Sequence, residues 1–298
     1  MAHAGAVYPT NVSQLSDFIE ENLKLLSGDC HPIRDPATLK GILSPHIDFN
    51  RGKSTYAHLW AHASPYMADI EQLIILGTDH NGGLGSITPT RQNYSTPFGT
   101  LRTDVAAVGE ILENLEQEAV DNEELHHLSE HSIELALVWA HYFIKKKSIS
   151  VIPILCGSFQ HFINDRKYPH IDEKIANCVA ALKQISDRKK TLIVAAGDLA
   201  HVGPQFGDST KYDGDEKMKL EAKDYETLTA IEDGDAERFY GLSMEDQDSR
   251  KICGLSSIYL MLRVIGNAEG ETIQYDQCPA DEANTSLVSI AGSLLFTN

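Results

Sequence analysis

The stretch Leu192-Ile193-Val194-Ala195-Ala196-Gly197-Asp198-Leu199-Ala200-His201 decides the fold. Its first half is apolar at every position, which suits a strand buried on both faces rather than one with a solvated side. Gly197 ends the strand, and an Asp and a His follow. The pattern recurs twice. Leu39-Lys40-Gly41-Ile42-Leu43 runs into Ser44-Pro45-His46-Ile47-Asp48, and Leu73-Ile74-Ile75-Leu76 runs into Gly77-Thr78-Asp79-His80. Strands buried on both faces belong to sheets covered by helices, so the spacer sequences should be helical.

They are. Apolar residues at helical spacing mark helices at about Ser13 to Leu26, Asp104 to Leu115, Ser132 to Lys147, Ile171 to Ile185, Lys217 to Glu232 and Cys253 to Val264. Further strands are expected at Gly85 to Thr90, Ser150 to Leu155, Thr272 to Tyr275 and Leu287 to Leu295, and an exposed polar loop at Gly207 to Lys219. No internal repeat or Pro/Gly/Ser-rich linker divides the chain. The expected architecture is therefore one α/β domain over residues 1–298, with a mixed, mostly parallel central sheet and helices on both faces.

Charge narrows the function. With 43 acidic against 25 basic residues the net charge is −18. Such a surface repels phosphate backbones and anionic lipid, so neither nucleic acid nor a membrane is an expected partner. No apolar run approaches the ~20 residues of a bilayer span. Met1-Ala2-His3-Ala4-Gly5 lacks the basic and apolar regions of a secretory leader. The cysteines Cys30, Cys156, Cys178, Cys253 and Cys278 are odd in number, widely spaced and form no Cys-x-x-Cys pair, which fits free thiols in a reducing, cytoplasmic setting.

In open α/β sheets ligands gather beyond the carboxyl ends of the strands. If the three strands lie side by side, His46, His80 and His201 share one rim. Any one of them alone reads as a polar turn residue; three in the same context point to a common centre. Imidazole is the commonest ligand of divalent transition metals, and a carboxylate often orients its second nitrogen. Asp48, Asp79 and Asp198 are placed for that task. Cys253, at the start of a helix, is expected to gain thiolate character from the helix dipole. The other four cysteines read as small core residues. Glu130-His131-Ser132-Ile133-Glu134 opens a helix that could face the same rim, where His131 either bonds a ligand or caps and packs. The Gly82-Gly83-Leu84-Gly85 loop departs from a dinucleotide fingerprint and reads as room for close backbone approach to a ligand.

Seven segments together resemble a known family. His3-Ala4-Gly5-Ala6-Val7-Tyr8-Pro9, Ser44-Pro45-His46, Gly77-Thr78-Asp79-His80, Glu130-His131-Ser132-Ile133-Glu134, Ile152-Pro153-Ile154-Leu155-Cys156-Gly157, Gly197-Asp198-Leu199-Ala200-His201-Val202-Gly203 and Ile252-Cys253-Gly254 occur in the order found in the Memo family, also called AmmeMemoRadiSam system protein B. The resemblance implies a fold like that of the class III extradiol dioxygenases, which bind non-haem iron with two His and one carboxylate. It implies that His46 and His80 are metal ligands, that Cys253 stands where the dioxygenases supply the carboxylate, and that His201 matches their acid/base. It implies a metal set of His46, His80, His201 and Cys253, with iron or copper. The animal members differ: a second His follows their counterpart of His80, Ala-Gly-Tyr stands in place of Ile47-Asp48-Phe49, a Cys and an aromatic residue replace Leu199-Ala200, and a basic run replaces Leu255-Ser256-Ser257. Their receptor-signalling and phosphopeptide roles therefore transfer poorly.

The leading expectation is a metal-dependent redox protein. His46, His80, His201 and Cys253 hold Fe(II) or Cu, with Zn a further option, His201 also serves as acid/base, and Asp198 supports the site. The substrate is then a small molecule. The first alternative is a catalytically silent module that binds a peptide or protein in the same cleft. The second is a ring-cleaving dioxygenase in which Asp48, Asp198 or another carboxylate supplies the missing ligand.

Overall fold

A computed structural model describes residues 1–26, 34–35, 38–115, 120, 122–144 and 149–297. Its elements in chain order are α1 (Val12–Leu23), β1 (Leu39–Ser44), α2 (Phe49–Ala63), β2 (Gln72–Thr78), β3 (Ile87–Pro89), β4 (Tyr94–Thr96), β5 (Gly99–Thr103), α3 (Val105–Leu112), α4 (Ser132–Phe143), β6 (Ser150–Cys156), α5 (Gln160–Asn164), α6 (Glu173–Ser186), β7 (Thr191–Ala196), β8 (His201–Val202), α7 (Gly214–Glu232), α8 (Ala236–Glu245), α9 (Leu255–Ile265), β9 (Glu269–Pro279) and β10 (Leu287–Phe296).

One mixed sheet runs in the order β4-β5-β6-β2-β7-β1-β10-β8, with β3 beside β6 and β9 beside β10. Its centre is parallel: β5 with β6, β6 with β2, β2 with β7 and β7 with β1. The flanks are antiparallel. The three strands that end in an Asp and a His, β2, β7 and β1, are consecutive neighbours, so their carboxyl ends form one rim. Alternate residues feed opposite cores. Ile74, Leu76, Ile152, Ile154, Ile193 and Ala195 pack under α3, α6, α7, α8 and α9. Leu73, Ile75, Val151, Leu155, Leu192 and Val194 pack under α1, α2 and α4. This two-sided burial is the physical reason for the unbroken apolar runs.

The structure adds elements that periodicity did not show. Helix α2 carries Gly52, His58 and His62, which blur its apolar stripe, yet Asp48 caps it by accepting from Arg51 N at 3.1 Å. The short hairpin β4–β5 and the helix α8, capped by Asp235, are similarly too short or mixed for a clear period. Helix α4 ends at Phe143; residues 145–147 of the expected span to Lys147 fall outside the described residues, as does Cys30.

Candidate metal centre

Two close backbone approaches bring distant loops together on the rim. Gly197, after β7, faces Gly254, before α9: a Cβ on Gly197 would sit 2.5 Å from the Gly254 Cα. Gly254 N donates to Asp198 O at 3.0 Å, and the contact leaves the Cys253 sulfur 3.6 Å from Asp198 O and 3.3 Å from His46 Nε2. Gly77, near the end of β2, faces the start of α4: a Cβ there would lie 2.5 Å from Ile133 Cγ1 and 2.6 Å from Ser132 Oγ. That contact sets His80 beside Glu130 and His131. Only residues without a side chain permit either approach.

The imidazoles of His46, His80 and His131 converge. Their ring centroids lie 5.1, 5.2 and 4.9 Å apart, and one nitrogen from each lies within 4.8 Å of the other two. Each ring is anchored through Nδ1. His46 Nδ1 bonds Ala196 O at 3.0 Å, His80 Nδ1 bonds Glu130 Oε2 at 3.0 Å, and His131 Nδ1 lies 3.0 Å from Glu130 Oε1. With Nδ1–H donating to oxygen, the Nε2 lone pair is left for another partner, the tautomer a metal-ligating histidine needs. A second group of donors shares His46: one atom each of His46, Asp198 and Cys253 also lies within 4.8 Å of the others.

The charges follow from burial. Burial, then the neighbouring His80 and His131, hold His46 well below its ordinary pKa, so it is neutral at pH 7. Burial pushes Glu130 up, but hydrogen bonds from His131 and His80 outweigh it and hold the carboxyl well below its usual range. His80 shows the reverse balance: burial lowers it, and Glu130 raises it further. Burial and the Asp198 charge push the Cys253 thiol well up. The helix dipole expected to favour a thiolate is thus overridden by desolvation at Cys253, which precedes α9.

His201 lines the same cleft of about 490 Å³ as His46, His80 and His131 but belongs to neither donor group. Its Nδ1 bonds Leu199 O at 3.2 Å and its ring packs edge-on against Phe206. Asp198 Oδ1 accepts from His46 N at 2.8 Å and Ile47 N at 3.3 Å, so it fixes the backbone that carries His46. Asp48 does not orient an imidazole; it caps α2 and pairs with Arg51 at 2.5 Å. Asp79 turns away from His80 to His126. The carboxylate that orients His80 is Glu130, fifty residues further along the chain. His131 was legible only as one option of the Glu130-to-Glu134 motif. The N-terminal segment also reaches the cleft. Glu134 accepts from Ala2 N, His3 N and Tyr8 OH at 2.8, 3.0 and 2.6 Å, and the His3 ring stands 5.7 Å from His131. The glycine loop is filled by protein: a Cβ on Gly83 would meet Glu123, one on Gly85 would meet His161, and one on Gly157 would overlap Gly83 O.

Residues 1–294 match the family model described as Memo-like protein. The chain belongs to the Memo family. Curated relatives carry the name MEMO1 family protein. The one from Aquifex aeolicus is 25% identical over 99% of this chain and 72% of its own length. That from Nitrosopumilus maritimus is 25% identical over 98% of this chain and 97% of its own. One from Methanocaldococcus jannaschii is 27% identical over 68% of this chain and 69% of its own. As a Memo family member, the protein has a family and a fold fixed along its whole length. Among the described residues no helix is long and apolar enough to cross a membrane.

The donor set fits a soft or borderline transition ion. Three imidazoles with anchored Nδ1 atoms and one thiol suit Fe(II), Cu(I) or Zn(II) and disfavour Mg(II) or Ca(II), which take oxygen shells.

Proposed function

We propose that this Memo family protein is a metal-dependent redox protein whose ion, Fe(II) or Cu, is held by His46 and His80, with His131 and Cys253 as the further donors. The observation that carries the reading is the convergence of three imidazoles, each fixed through Nδ1, beside the half-buried Cys253 thiol. The bound ion supplies one-electron chemistry and a Lewis-acidic position for a small ligand. The chain's own residues do the rest. Glu130 orients His80 and His131 together. Asp198 holds the His46 backbone. His201 is kept neutral by burial, which outweighs the raising effect of Asp198; with Nδ1–H on Leu199 O, its Nε2 is free to take a proton in the cleft. Val7, Ile47, Leu135 and Val288 give the cleft part of its apolar lining.

A cleft of about 490 Å³ fits a small molecule better than a peptide, which favours this reading over the silent binding module. The ring-cleaving alternative needs a carboxylate grouped with both His46 and His80; Asp198 is grouped with His46 and Cys253 but not with His80, and Asp48 caps α2. Free thiols at Cys156, Cys178, Cys253 and Cys278 support a reducing, cytoplasmic setting. Metal analysis of protein purified without chelator tests the proposal. Wild type should carry near-stoichiometric iron or copper, and the His46→Ala, His80→Ala double variant should lose it. Equal metal in both would refute the reading.

A further inference from the structure

The segment His3 to Pro9 stands out in the sequence, yet none of its residues is among the donors of the centre. It folds into a tight hook. Ala6 N and Val7 N both donate to His3 O at 3.1 Å, and Gly5 N donates to Tyr8 O at 2.7 Å. Gly5 makes the turn with a left-handed φ of 89°. Tyr8 is buried and stacks on Phe49, with 5.3 Å between ring centroids.

Glu134 fixes this hook to the rest of the protein. The side chain is buried in the first turn of α4, where a carboxylate is costly unless it is hydrogen-bonded. Among the described residues its hydrogen-bond partners are Ala2 N, His3 N and Tyr8 OH. A buried charge just beyond His131 is thus given over to holding the chain on both sides of the hook. The ring which that anchoring delivers to the wall of the cleft is His3.

A second observation concerns the ring itself. Its Nε2 lies 2.9 Å from Ser129 O. A carbonyl oxygen only accepts, so Nε2 carries the hydrogen and the neutral ring keeps a lone pair on Nδ1. Among the described residues Nδ1 has no hydrogen-bond partner. The ring meets His131 edge-on, 5.7 Å away between centroids, but is not grouped with the three converging imidazoles. His3 stands beside the centre as an oriented acceptor rather than within it as a donor to the ion.

We infer that His3 is a substrate-binding residue of the cleft. Its Nδ1 accepts a hydrogen bond from an O–H or N–H of a molecule held at the His46 centre, and Glu134 is the positioning residue that keeps it there. The class of ligand is a small molecule with a hydroxyl or amino hydrogen close to the atom that meets the ion. This inference rests on the metal-centre reading above and adds to it a preference for such a donor.

Ligand binding to the Co(II)-loaded full-length protein, followed through the cobalt absorption bands, tests it. Imidazole and thiazole are the probes. They are five-membered rings of similar shape that ligate through nitrogen, and only imidazole then presents an N–H. His3→Phe keeps a ring and removes the acceptor. Imidazole affinity should fall about tenfold in His3→Phe while thiazole affinity stays within about twofold, with cobalt content equal to that of wild type. Equal losses for both probes, or none for either, overturn the inference and leave the centre standing. Cobalt bound equally by wild type and the His46→Ala, His80→Ala variant, or bound by neither, removes the centre and the inference with it. Glu134→Gln leaves the His3 ring intact but unpins its backbone, and gives a second route should His3→Phe not fold. It should lose imidazole affinity selectively as well; a wild-type ratio of the two affinities in that variant overturns the inference.

Discussion

Glu130 is the residue on which the centre turns. One buried carboxylate spans two histidines and also accepts from the backbone of His80, His131 and Ser132 at 3.0, 2.8 and 3.1 Å. Glu130→Gln keeps the shape but replaces an acceptor by an NH₂ group that cannot serve one of the two rings. Metal affinity should fall about 10–100-fold, measured by competition with a chromophoric chelator; unchanged affinity would show that the carboxylate does not set the rings. The sequence disclosed the strand-end histidines because each stands a few residues beyond its own apolar run. It could not disclose that Glu130 rather than Asp79 serves His80, since that pairing depends on the close approach at Gly77. Asp48 was legible as a carboxylate next to a ligand candidate, but its role as a cap follows from a helix whose periodicity was weak.

At the scale of elements, the segment leading into α9 is unusual. Gln247, Asp248 and Lys251 all have left-handed backbone, with φ of 57°, 51° and 52°, a conformation costing a non-glycine residue roughly 1 kcal/mol. Asp248 Oδ1 accepts from Ile252 N at 3.0 Å, which steers the chain toward Cys253. Burial pushes the Asp248 carboxyl up to about 6 despite that bond. A carboxyl with a raised folded-state pKa holds its proton more tightly when folded. Stability should therefore fall as pH rises from about 4 to about 6 and level off above. Asn is neutral, tolerates left-handed backbone and keeps an acceptor, so Asp248→Asn should gain about 2–3 kcal/mol at pH 7 and little at pH 4. Urea unfolding of both proteins across that pH range checks it; parallel profiles would contradict it. The Gly197–Gly254 approach belongs to this scale too. Gly254→Ala would set a Cβ 2.9 Å from Asp198 O and from the Gly197 Cα. The expected cost is about 1–3 kcal/mol in denaturant midpoint, with loss of the Cys253–His46 contact; a neutral substitution would mean the loops are free to part.

For the whole molecule, the fold was legible where physics is repetitive. Apolar strands buried on both faces, alternating with amphipathic helices, specify a covered parallel sheet, and the chain has one. What pairing partners do at the sheet's flanks, where β9 and β10 form a long antiparallel ribbon and β3 to β5 are brief, is set by contacts remote in sequence. The two cores are apolar and complete without an ion, and the rim's histidines are held by protein oxygens. Chelation should therefore leave the far-UV spectrum unchanged, and amides of Leu73 to Leu76 and Leu192 to Ala196 should remain the slowest to exchange hydrogen in the metal-free protein. Loss of that protection would make the ion part of the fold rather than its guest. The most direct trial of the central claim is anomalous diffraction at the iron and copper edges from wild-type crystals loaded anaerobically with each metal in turn. The account predicts one strong peak within bonding distance of a ring nitrogen from both His46 and His80. A map with no peak there, and the two imidazoles turned apart, would contradict it.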